Sequence, residues 1–367
     1  MLMIETPYLS AFLVTNLASL LLVLTQRWHG RLSMDGTQGV QKMHTRPTPR
    51  IGGIAVALGL LASYAVSTAE AKHILGYILL AGIPAFSSGL LEDLTKKISV
   101  LFRLLATMAS GLMACYLFNI AMQNTGLPPL DWLLGFMPLA VMFTAFAVSG
   151  VANAINIIDG FNGLAAGTVA IISVSLGVMA LSLNDQALAL VCFSLAAVAL
   201  GFGLINWPSG RLFLGDGGAY LMGFVLAWLA VFLPMRHPEI NAWATLLACA
   251  YPVLEVLFSV LRRRKREGHH PGQPDKAHLH HFIHRRLVPR FAPTLGVTWR
   301  NSVTSIFCWV CALVPAAWAV LFMQDERMLW LGLAFSALAY TALYARLTQF
   351  AWCFSAITLR RPTRFMA

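Results

Sequence analysis

Amide and acidic side chains recur at helical spacing in one segment that could form part of a functional site. The segment reads NAINIIDGFNG and begins at Asn153. Asn153, Asn156 and Asp159 lie three residues apart, so a helix would place them along one strip. Amides and a carboxylate at the end of an apolar stretch are costly to bury and usually mark a site. The strip predicts ligand binding, and a structural hydrogen-bonding role is the alternative.

A second motif puts one carboxylate among glycines at the start of another apolar run. It reads RLFLGDGG, with Asp216 between Gly215 and Gly217 and three residues after Phe213. The exposed amide groups of a helix start favour anions, but a carboxylate at such a position can also simply cap the helix. We therefore treat Asp216 as a candidate site residue, with helix capping as the alternative.

Histidines concentrate in the longest polar connection. Six of the ten lie between residues 269 and 284, and they include His278, His280 and His281. Histidines at short spacing are common zinc ligands. No cysteine lies nearby, however, and the flanking arginines would repel a dication. The pattern favours binding of an anionic ligand over binding of zinc.

Two further connections carry charged residues beside apolar runs. The first has basic side chains ahead of a glycine pair, and basic groups beside glycines suit a phosphate. Its basic candidates are Lys42, His44 and Arg46. The second contains the adjacent acids Glu92 and Asp93, followed by two lysines. The ordinary interpretations are a basic cytoplasmic loop in the first case and solvated ion pairs in the second.

The elements that must position these motifs are apolar helices. Of the 367 residues, 58% are hydrophobic and 11% are charged, against about a quarter charged in a soluble domain. Eleven apolar runs have about the length that crosses a bilayer core as a helix. Their approximate ranges are 8–26, 51–69, 74–91, 104–121, 132–151, 161–183, 187–205, 217–234, 241–261, 301–323 and 328–345. Because the runs are continuously apolar rather than alternating, they predict an all-α membrane protein and not a barrel.

Lys and Arg residues are distributed very unevenly among the connections. The odd-numbered connections and the C-terminal tail hold 23 of the 26, and the even-numbered ones hold only Lys72, Arg236 and Arg327. The positive-inside rule then predicts an external N-terminus and a cytoplasmic C-terminus. Because this topology accounts for most of the net charge of +11, we do not expect nucleic-acid binding.

All of the polar motifs lie in odd-numbered connections, and therefore on one predicted face. A transporter would be expected to carry polar groups near the membrane midplane, yet Glu255 is the only carboxylate within an apolar run. A non-catalytic scaffold would not need these acids and histidines together. The arrangement favours an enzyme site at the boundary between membrane and cytoplasm over a transporter or a scaffold.

In their order along the chain, the motifs resemble those of the polyprenyl-phosphate N-acetylhexosamine-1-phosphate transferases of glycosyltransferase family 4. The resemblance extends from K-x-H and P-x-x-G-G through N-A-x-N-x-x-D-G and F-x-G-D-x-G to H-x-H-H, as one polytopic domain over 1–367. The pentapeptide enzymes of this superfamily have three contiguous histidines and ten spans. The sequence HLHH at 278–281 and the eleven runs instead resemble the GlcNAc-1-phosphate and O-antigen branch.

The resemblance implies transfer of HexNAc-1-phosphate, with GlcNAc as the expected sugar, from UDP-HexNAc to undecaprenyl phosphate in a bacterial inner membrane. UMP would be released, and an O-antigen-like lipopolysaccharide would be started. Mg²⁺ is the implied cofactor, with Mn²⁺ as a substitute, and Asp216 and Asp93 are the implied metal ligands. The alternatives are a phospho-MurNAc-pentapeptide transferase and a lipid-linked sugar transporter. A homodimer is compatible with the resemblance.

The resemblance also implies roles for individual residues. The catalytic set is Asp93, Glu92, Asp159 and Asp216. The substrate-binding set is Lys42, His44, Arg46, Asn153, Asn156, Asn162, Phe213, His278, His280 and His281. Two departures from the family's pattern bear on these roles, because Glu92 and Asn162 each stand where the family usually has Asp. We therefore expect Asn162 to be a poor metal ligand and Glu92 to be a supporting residue.

Overall fold

The computed structural model describes residues 2–35, 47–264 and 277–349, and helices make up most of them. The first helices are α1 Leu2–Leu24, α2 Gln26–Ser33, α3 Gly52–Val66, α4 Ala69–Ala81, α5 Ile83–Thr95, α6 Val100–Phe118, α7 Pro128–Leu134, α8 Met137–Ile158 and α9 Leu164–Ser182. They are followed by α10 Gln186–Asn206, α11 Gly215–Arg236, α12 Ala242–Ala248, α13 Ala250–Arg264, α14 Leu279–Phe282, α15 Val288–Phe291, α16 Val297–Leu321 and α17 Glu326–Gln349. A π-helical segment, Ile283–Leu287, joins α14 to α15, and the two strands are β1 Met34–Asp35 and β2 Thr48–Pro49.

Each of the eleven predicted apolar runs corresponds to helix in the structure. Within the described residues, eight single helices are long and apolar enough to cross a membrane, and two further runs are bent helix pairs. The eleventh run is α3, whose 15 residues extend only about 22 Å, less than the ~30 Å of a bilayer core. The prediction of an all-α membrane protein is therefore confirmed, and the chain is a multi-pass membrane protein.

The bend between α4 and α5 was not predicted, and it directs the end of α5 towards the site. The two helices meet at an angle of 48°, with Gly82 between them and Pro84 in the first turn of α5. Proline has no N–H to continue the helical hydrogen bonding, so a sharp bend at such a position is expected.

Helix α11 is the central helix of the bundle. Its residues from Gly215 to Pro234 are buried, and it packs against α3, α5 and α8. A helix that is apolar on all sides belongs inside a bundle. The contact with α3 is close because Gly53 faces Gly218, and a Cβ atom on Gly53 would overlap the backbone of α11.

The strand pair brings Arg50 to the N-terminus of α11. β1 and β2 are antiparallel, with Asp35 opposite Thr48. The chain then pairs with the segment before α11, where the Phe213 N–H donates to the Pro49 carbonyl at 2.8 Å. The Gly52 N–H donates back to the Phe213 carbonyl at 3.0 Å. These bonds on either side of Arg50 fix its backbone beside the start of α11.

Candidate active site

Four helix ends converge beside the N-terminus of α11. The last turn of α5 supplies Asp93, the first turn of α6 supplies Arg103, the last turn of α8 supplies Asn156, and α11 begins with Gly215 and Asp216. We call the polar side chains that meet here the aspartate–arginine cluster. Its members are Arg50, Asp93, Arg103, Asn156, Asp159 and Asp216.

Asp93, on the neighbouring helix α5, is fully buried and hydrogen-bonds to the start of α11. Its Oδ1 accepts the Asp216 N–H and its Oδ2 accepts the Gly217 N–H, both at 2.8 Å. Arg50 Nε lies 3.2 Å from Oδ1. Because the first N–H groups of a helix have no partner within the helix, Asp93 does for α11 what an N-cap side chain does. Both of its oxygens are therefore engaged in holding Asp216 in place.

Asp216 is buried and is paired with two arginines. Arg50 and Arg103 each form an ion pair with its carboxylate, and Asn156 Nδ2 donates to its Oδ1 at 3.2 Å. The guanidinium carbon of Arg103 lies 5.9 Å from the centre of the Tyr220 ring. Two guanidinium groups and a helix N-terminus meet at one point, which is an arrangement that suits phosphate groups.

Helices α5 and α11 approach each other so closely here that residue 89 has no room for a side chain. A Cβ atom on Gly89 would lie 2.6 Å from the carbonyl carbon of Asp216 and 2.6 Å from the Gly217 nitrogen. The missing side chain is what allows the last turn of α5 to bring Asp93 within hydrogen-bonding distance of α11.

Asp159 follows the last residue of α8 and is half-buried. Burial raises the pKa of its carboxyl to about 7, and Arg50 partly opposes the shift. A carboxyl group that ionises near neutral pH is common in active sites. When all three aspartates are ionised, the cluster has one more carboxylate than it has arginines, which leaves it able to take a further cation.

The three predicted histidines form a buried group beside the Asp159 loop. His278 Nδ1 lies 2.9 Å from Glu255 Oε1, which also accepts the Leu279 N–H at 3.2 Å. His280 is fully buried, and its Nε2 would lie 3.7 Å from a Cβ atom on Gly160. Burial, strengthened by the two neighbouring histidines, holds the pKa of His280 well below its ordinary value. His280 is therefore a neutral imidazole at pH 7.

Phe161 connects the histidines to the loop after α8. It is buried, and its ring centre lies 5.4 Å from that of His280, 5.6 Å from that of His281 and 5.1 Å from that of His284. The contacts with His280 and His281 are edge-on and that with His284 is tilted, and edge-on aromatic contacts at these distances are favourable. Asp159 belongs to the aspartate–arginine cluster, and Phe161, two residues later in the same loop, contacts the histidines. The histidine group therefore lies next to the cluster.

Comparison with known proteins assigns this site to a family. A sequence model of glycosyl transferase family 4 matches residues 75–233. The matched segment contains every member of the aspartate–arginine cluster except Arg50. This match confirms the predicted resemblance to glycosyl transferase family 4. It supports a phospho-sugar transferase activity.

The similarity to individual family 4 proteins extends over most of the chain. The undecaprenyl-phosphate alpha-N-acetylglucosaminyl 1-phosphate transferase of Yersinia pestis is 29% identical over 322 residues, covering 85% of this chain and 83% of the relative. The protein of that name from Escherichia coli O157:H7 is 28% identical over 291 residues, covering 78% and 77%. A decaprenyl-phosphate N-acetylglucosaminephosphotransferase from Mycobacterium leprae is 28% identical over 306 residues, covering 72% and 75%.

The structure brings the predicted strip of α8 to this family 4 site. Asn156 contacts Asp216, and Asn153 Oδ1 accepts the Tyr220 hydroxyl at 3.1 Å, so both amides face α11. Phe213 is partly exposed in the loop just before α11. The predicted loop residues Lys42, His44 and Arg46 lie outside the described part of the chain, so their roles stay predictions.

Two predicted residues make contacts of a structural kind. Glu92 Oε2 accepts the Ile98 N–H at 2.7 Å and so closes the turn after α5. The Asn162 side-chain amide donates to the Pro208 carbonyl at 3.0 Å, and the Asn162 backbone N–H donates to Asn301 Oδ1 at 2.7 Å. These contacts favour packing roles over the predicted catalytic and substrate-binding roles. The departures from the family pattern noted in the sequence are at these two positions.

Arg50 and Arg103 were not among the predicted site residues, although both contact Asp216. Arg50 stood in a loop that was already rich in basic residues, and the positive-inside rule explained its presence. Arg103 lies directly before a predicted apolar run, where it looked like an ordinary flanking charge. What distinguishes Arg103 is its ion pair with Asp216, which lies 113 positions further along the chain. No local sequence pattern contains that information.

The residues around Asp216 fit a magnesium site in which substrate phosphates supply the remaining ligands. Among the described residues, no three His, Cys, Asp or Glu side chains are arranged to hold a metal by themselves. Mg²⁺ is usually bound through one or two carboxylates together with substrate phosphates and water, so a closed protein cage is not required. Asp216 offers a carboxylate, whereas both oxygens of Asp93 already accept N–H groups, which disfavours its predicted role as a metal ligand.

Proposed function

We propose that this protein transfers N-acetylglucosamine-1-phosphate from a UDP-linked donor to undecaprenyl phosphate. The observation that carries the proposal is the pair of arginines on Asp216 at the start of α11, because phosphoryl transfer depends on positioning and charge neutralisation. The match to family 4 and the names of the Y. pestis and E. coli relatives support the choice of sugar and acceptor. The same likeness supports a role at the start of O-antigen-like polysaccharide synthesis.

The proposed reaction is a single displacement at the β-phosphorus of the donor. An oxygen of the lipid phosphate forms a bond to the β-phosphorus. At the same time the bond between the β-phosphorus and the oxygen that bridges the two donor phosphates breaks, and UMP leaves with that oxygen. The second pKa of a phosphate monoester is about 6, so at neutral pH the acceptor is largely a dianion and needs no base. A covalent intermediate on Asp93 is disfavoured, because both of its oxygens hold the start of α11.

The residues of the cluster then have distinct roles. Asp93 is a positioning residue that acts on Asp216 through the backbone of α11, and Arg50 offsets the charge of both carboxylates. Asn156 and Asp159 bind the nucleoside. Mg²⁺ held at Asp216, with Mn²⁺ as a substitute, would draw the phosphate oxygens together and reduce their mutual repulsion.

The remaining predicted residues surround this centre. Phe213, partly exposed before α11, stacks on the uracil ring. His278, His280 and His281 hold the sugar diphosphate by hydrogen bonding. Lys42, His44 and Arg46 supply positive charge for the acceptor phosphate.

We propose that the chain lies in a bacterial inner membrane with its N-terminus periplasmic and its C-terminus cytoplasmic. The support is the unequal distribution of Lys and Arg, 23 of which fall in the odd-numbered connections and the tail. A reporter fused after Arg364 should behave as cytoplasmic, and one placed at Asn184 should behave as periplasmic. The opposite pattern at both positions would place the aspartate–arginine cluster on the wrong face.

Incubation of the purified protein with undecaprenyl phosphate, Mg²⁺ and a radiolabelled UDP-sugar tests the function directly. UDP-GlcNAc should give labelled lipid and UMP in equal amounts, and Asp216→Asn should give neither. UDP-GalNAc and UDP-MurNAc-pentapeptide in parallel reactions test the choice of sugar. Labelled lipid from none of the donors would contradict the proposal, and label from the pentapeptide donor alone would favour the alternative transferase. Mass photometry of the same preparation in nanodiscs tests whether the protein is a homodimer.

A further inference from the structure

Arg103 occupies an unusual position for a charged residue in a membrane helix. It is the fourth residue of α6, and 12% of its side chain is exposed. Its guanidinium group contacts both the Tyr220 ring and the Asp216 carboxylate. Within the part of the chain that the structure describes, Asp216 is the only acidic group with which it forms an ion pair.

This ion pair leaves one buried N–H of the guanidinium group without an acceptor. A guanidinium carries five N–H donors, and Arg103 Nε is buried with no hydrogen-bond partner among the described residues. A buried donor without an acceptor is destabilising, and the group is better satisfied when a ligand supplies oxygens. Phosphate oxygens match the parallel N–H groups of arginine well. This unmet donor belongs to the guanidinium group that pairs with Asp216, the carboxylate to which we assign the metal.

We infer that Arg103 binds a phosphate of the nucleotide-sugar diphosphate and competes with the divalent cation for Asp216. The inference rests on the proposed function. A cation bound at Asp216 and the Arg103 guanidinium would share one carboxylate, and phosphate oxygens brought in with the cation give the guanidinium new acceptors. Arg103 therefore opposes binding of the metal alone and favours binding of the metal together with a diphosphate.

A purely structural role for Arg103 predicts a different response. If the guanidinium only neutralised Asp216 and packed on Tyr220, its removal would disturb the carboxylate, and metal affinity would fall or stay the same. Competition predicts the opposite sign, because removal of the arginine frees the carboxylate. The direction of the change in metal affinity therefore separates the two roles without any measurement of turnover.

The test uses the full chain in nanodiscs, with Mn²⁺ as the spectroscopic probe and UDP as the diphosphate. Electron paramagnetic resonance titration should show that Arg103→Gln lowers the Kd for Mn²⁺ alone by about tenfold, because one competing ion pair is lost. With Mn²⁺ saturating, the same variant should bind UDP about tenfold more weakly, because a phosphate partner is lost. Arg103→Lys should retain the competition but recover little UDP affinity, because an ammonium group lacks the paired donors.

Arg300→Gln is the matched control, since Arg300 is also the fourth residue of its helix, α16, and its guanidinium donates to the Pro293 carbonyl. It removes one cationic charge at the same edge of the bundle and should change neither Kd. Unchanged or weaker Mn²⁺ binding by Arg103→Gln, or unchanged UDP binding, would overturn the inference. A wild-type protein that binds Mn²⁺ and UDP as expected but transfers no sugar would contradict the proposed function and leave this inference intact.

Discussion

Helix α11 has a group of charged residues at each end, and the two groups differ in how completely their charges are paired. At its C-terminal end, Arg236 contacts Asp185 at 2.5 Å and Glu70 at 2.6 Å, and His237 lies 2.8 Å from Asp185. We call these four residues the Arg236 cluster. The ends of α11 are about 30 Å apart at 1.5 Å per residue. The Arg236 cluster and the aspartate–arginine cluster are therefore separate sites.

An aspartate from each cluster shows the difference most clearly. Burial tends to raise the pKa of Asp185, but hydrogen bonds from His237, the Leu188 N–H and Arg236 outweigh it and lower that pKa. Burial also raises the pKa of Asp159. The positive charge of Arg50 lowers that pKa by less than burial raises it, so the pKa is about 7. Asp185 is stabilised as an anion by its own protein, whereas Asp159 is not. Incomplete stabilisation of this kind is typical of sites that are completed by a ligand.

Replacement of Asp216 should give the largest effect on function. Asp216→Asn removes the charge that holds both arginines and the proposed metal, so turnover should fall by about 10³-fold or more. The matched control is Asp185→Asn, which also removes a buried carboxylate that is paired with an arginine. It should keep turnover within about threefold of wild type, because it lies at the far end of α11. Labelled-lipid formation measures both, and near-normal rates for Asp216→Asn would leave helix capping as its role.

The next largest effect should come from the close contact between α5 and α11. Gly89→Ala would place a methyl group 2.6 Å from the Asp216 backbone. The helices must then separate, at a cost of about 1–3 kcal/mol for overpacking. A displacement of about 1 Å at Asp216 should lower turnover by about a hundredfold.

Gly150→Ala is the control for this prediction, because a Cβ atom on Gly150 has no heavy atom within 4 Å. It should leave turnover unchanged and raise thermal stability slightly, since alanine is the better helix former. Equal losses in the two variants would mean that the separation of α5 and α11 does not control the position of Asp216.

Stability measured against pH should respond to Asp159 in one direction. Because its pKa in the folded protein is raised to about 7, its contribution to stability is present at low pH and is lost as the pH rises through 7. Asp159→Asn should therefore raise the thermal midpoint at pH 8 by about 2–4 °C and have little effect at pH 4. The measurement is a thermal melt in detergent without nucleotide or metal. A lower midpoint for the variant at pH 8 would contradict the raised pKa.

Asp185 should respond in the opposite direction. Its lowered pKa means that its contribution to stability is present above the ordinary carboxyl range and is lost as the pH falls through the folded value. Asp185→Asn should therefore lower the thermal midpoint at pH 8 by about 2–4 °C, and the deficit should shrink in acid. Two aspartates on the same scaffold would then show opposite signs at pH 8. If both variants changed the midpoint with the same sign, the contrast between the clusters would not hold.

The sequence was sufficient to predict the helices and only part of the site. Hydropathy is a local property, so all eleven runs could be located, and the strip containing Asn156 followed from spacing alone. The role of Arg103 depends on which helix ends meet, and that information is not local. The Arg236 cluster was overlooked for a related reason, since Arg236 was counted only as a topology signal in a connection that looked featureless.

Replacement of Glu70 should give the smallest effect, and it tests whether the Arg236 cluster depends on its buried or its exposed pair. The Glu70 side chain is 62% exposed, whereas that of Asp185 is 3% exposed. An exposed ion pair contributes only about 0–1 kcal/mol, because water and salt screen it. Glu70→Gln should therefore shift the thermal midpoint by less than about 2 °C, and the shift should vanish at high salt. Arg236 would keep Asp185 as its partner in this variant. A loss as large as that of Asp185→Asn would mean that the exposed carboxylate anchors the arginine, and that the two ends of α11 are less different than their burial indicates.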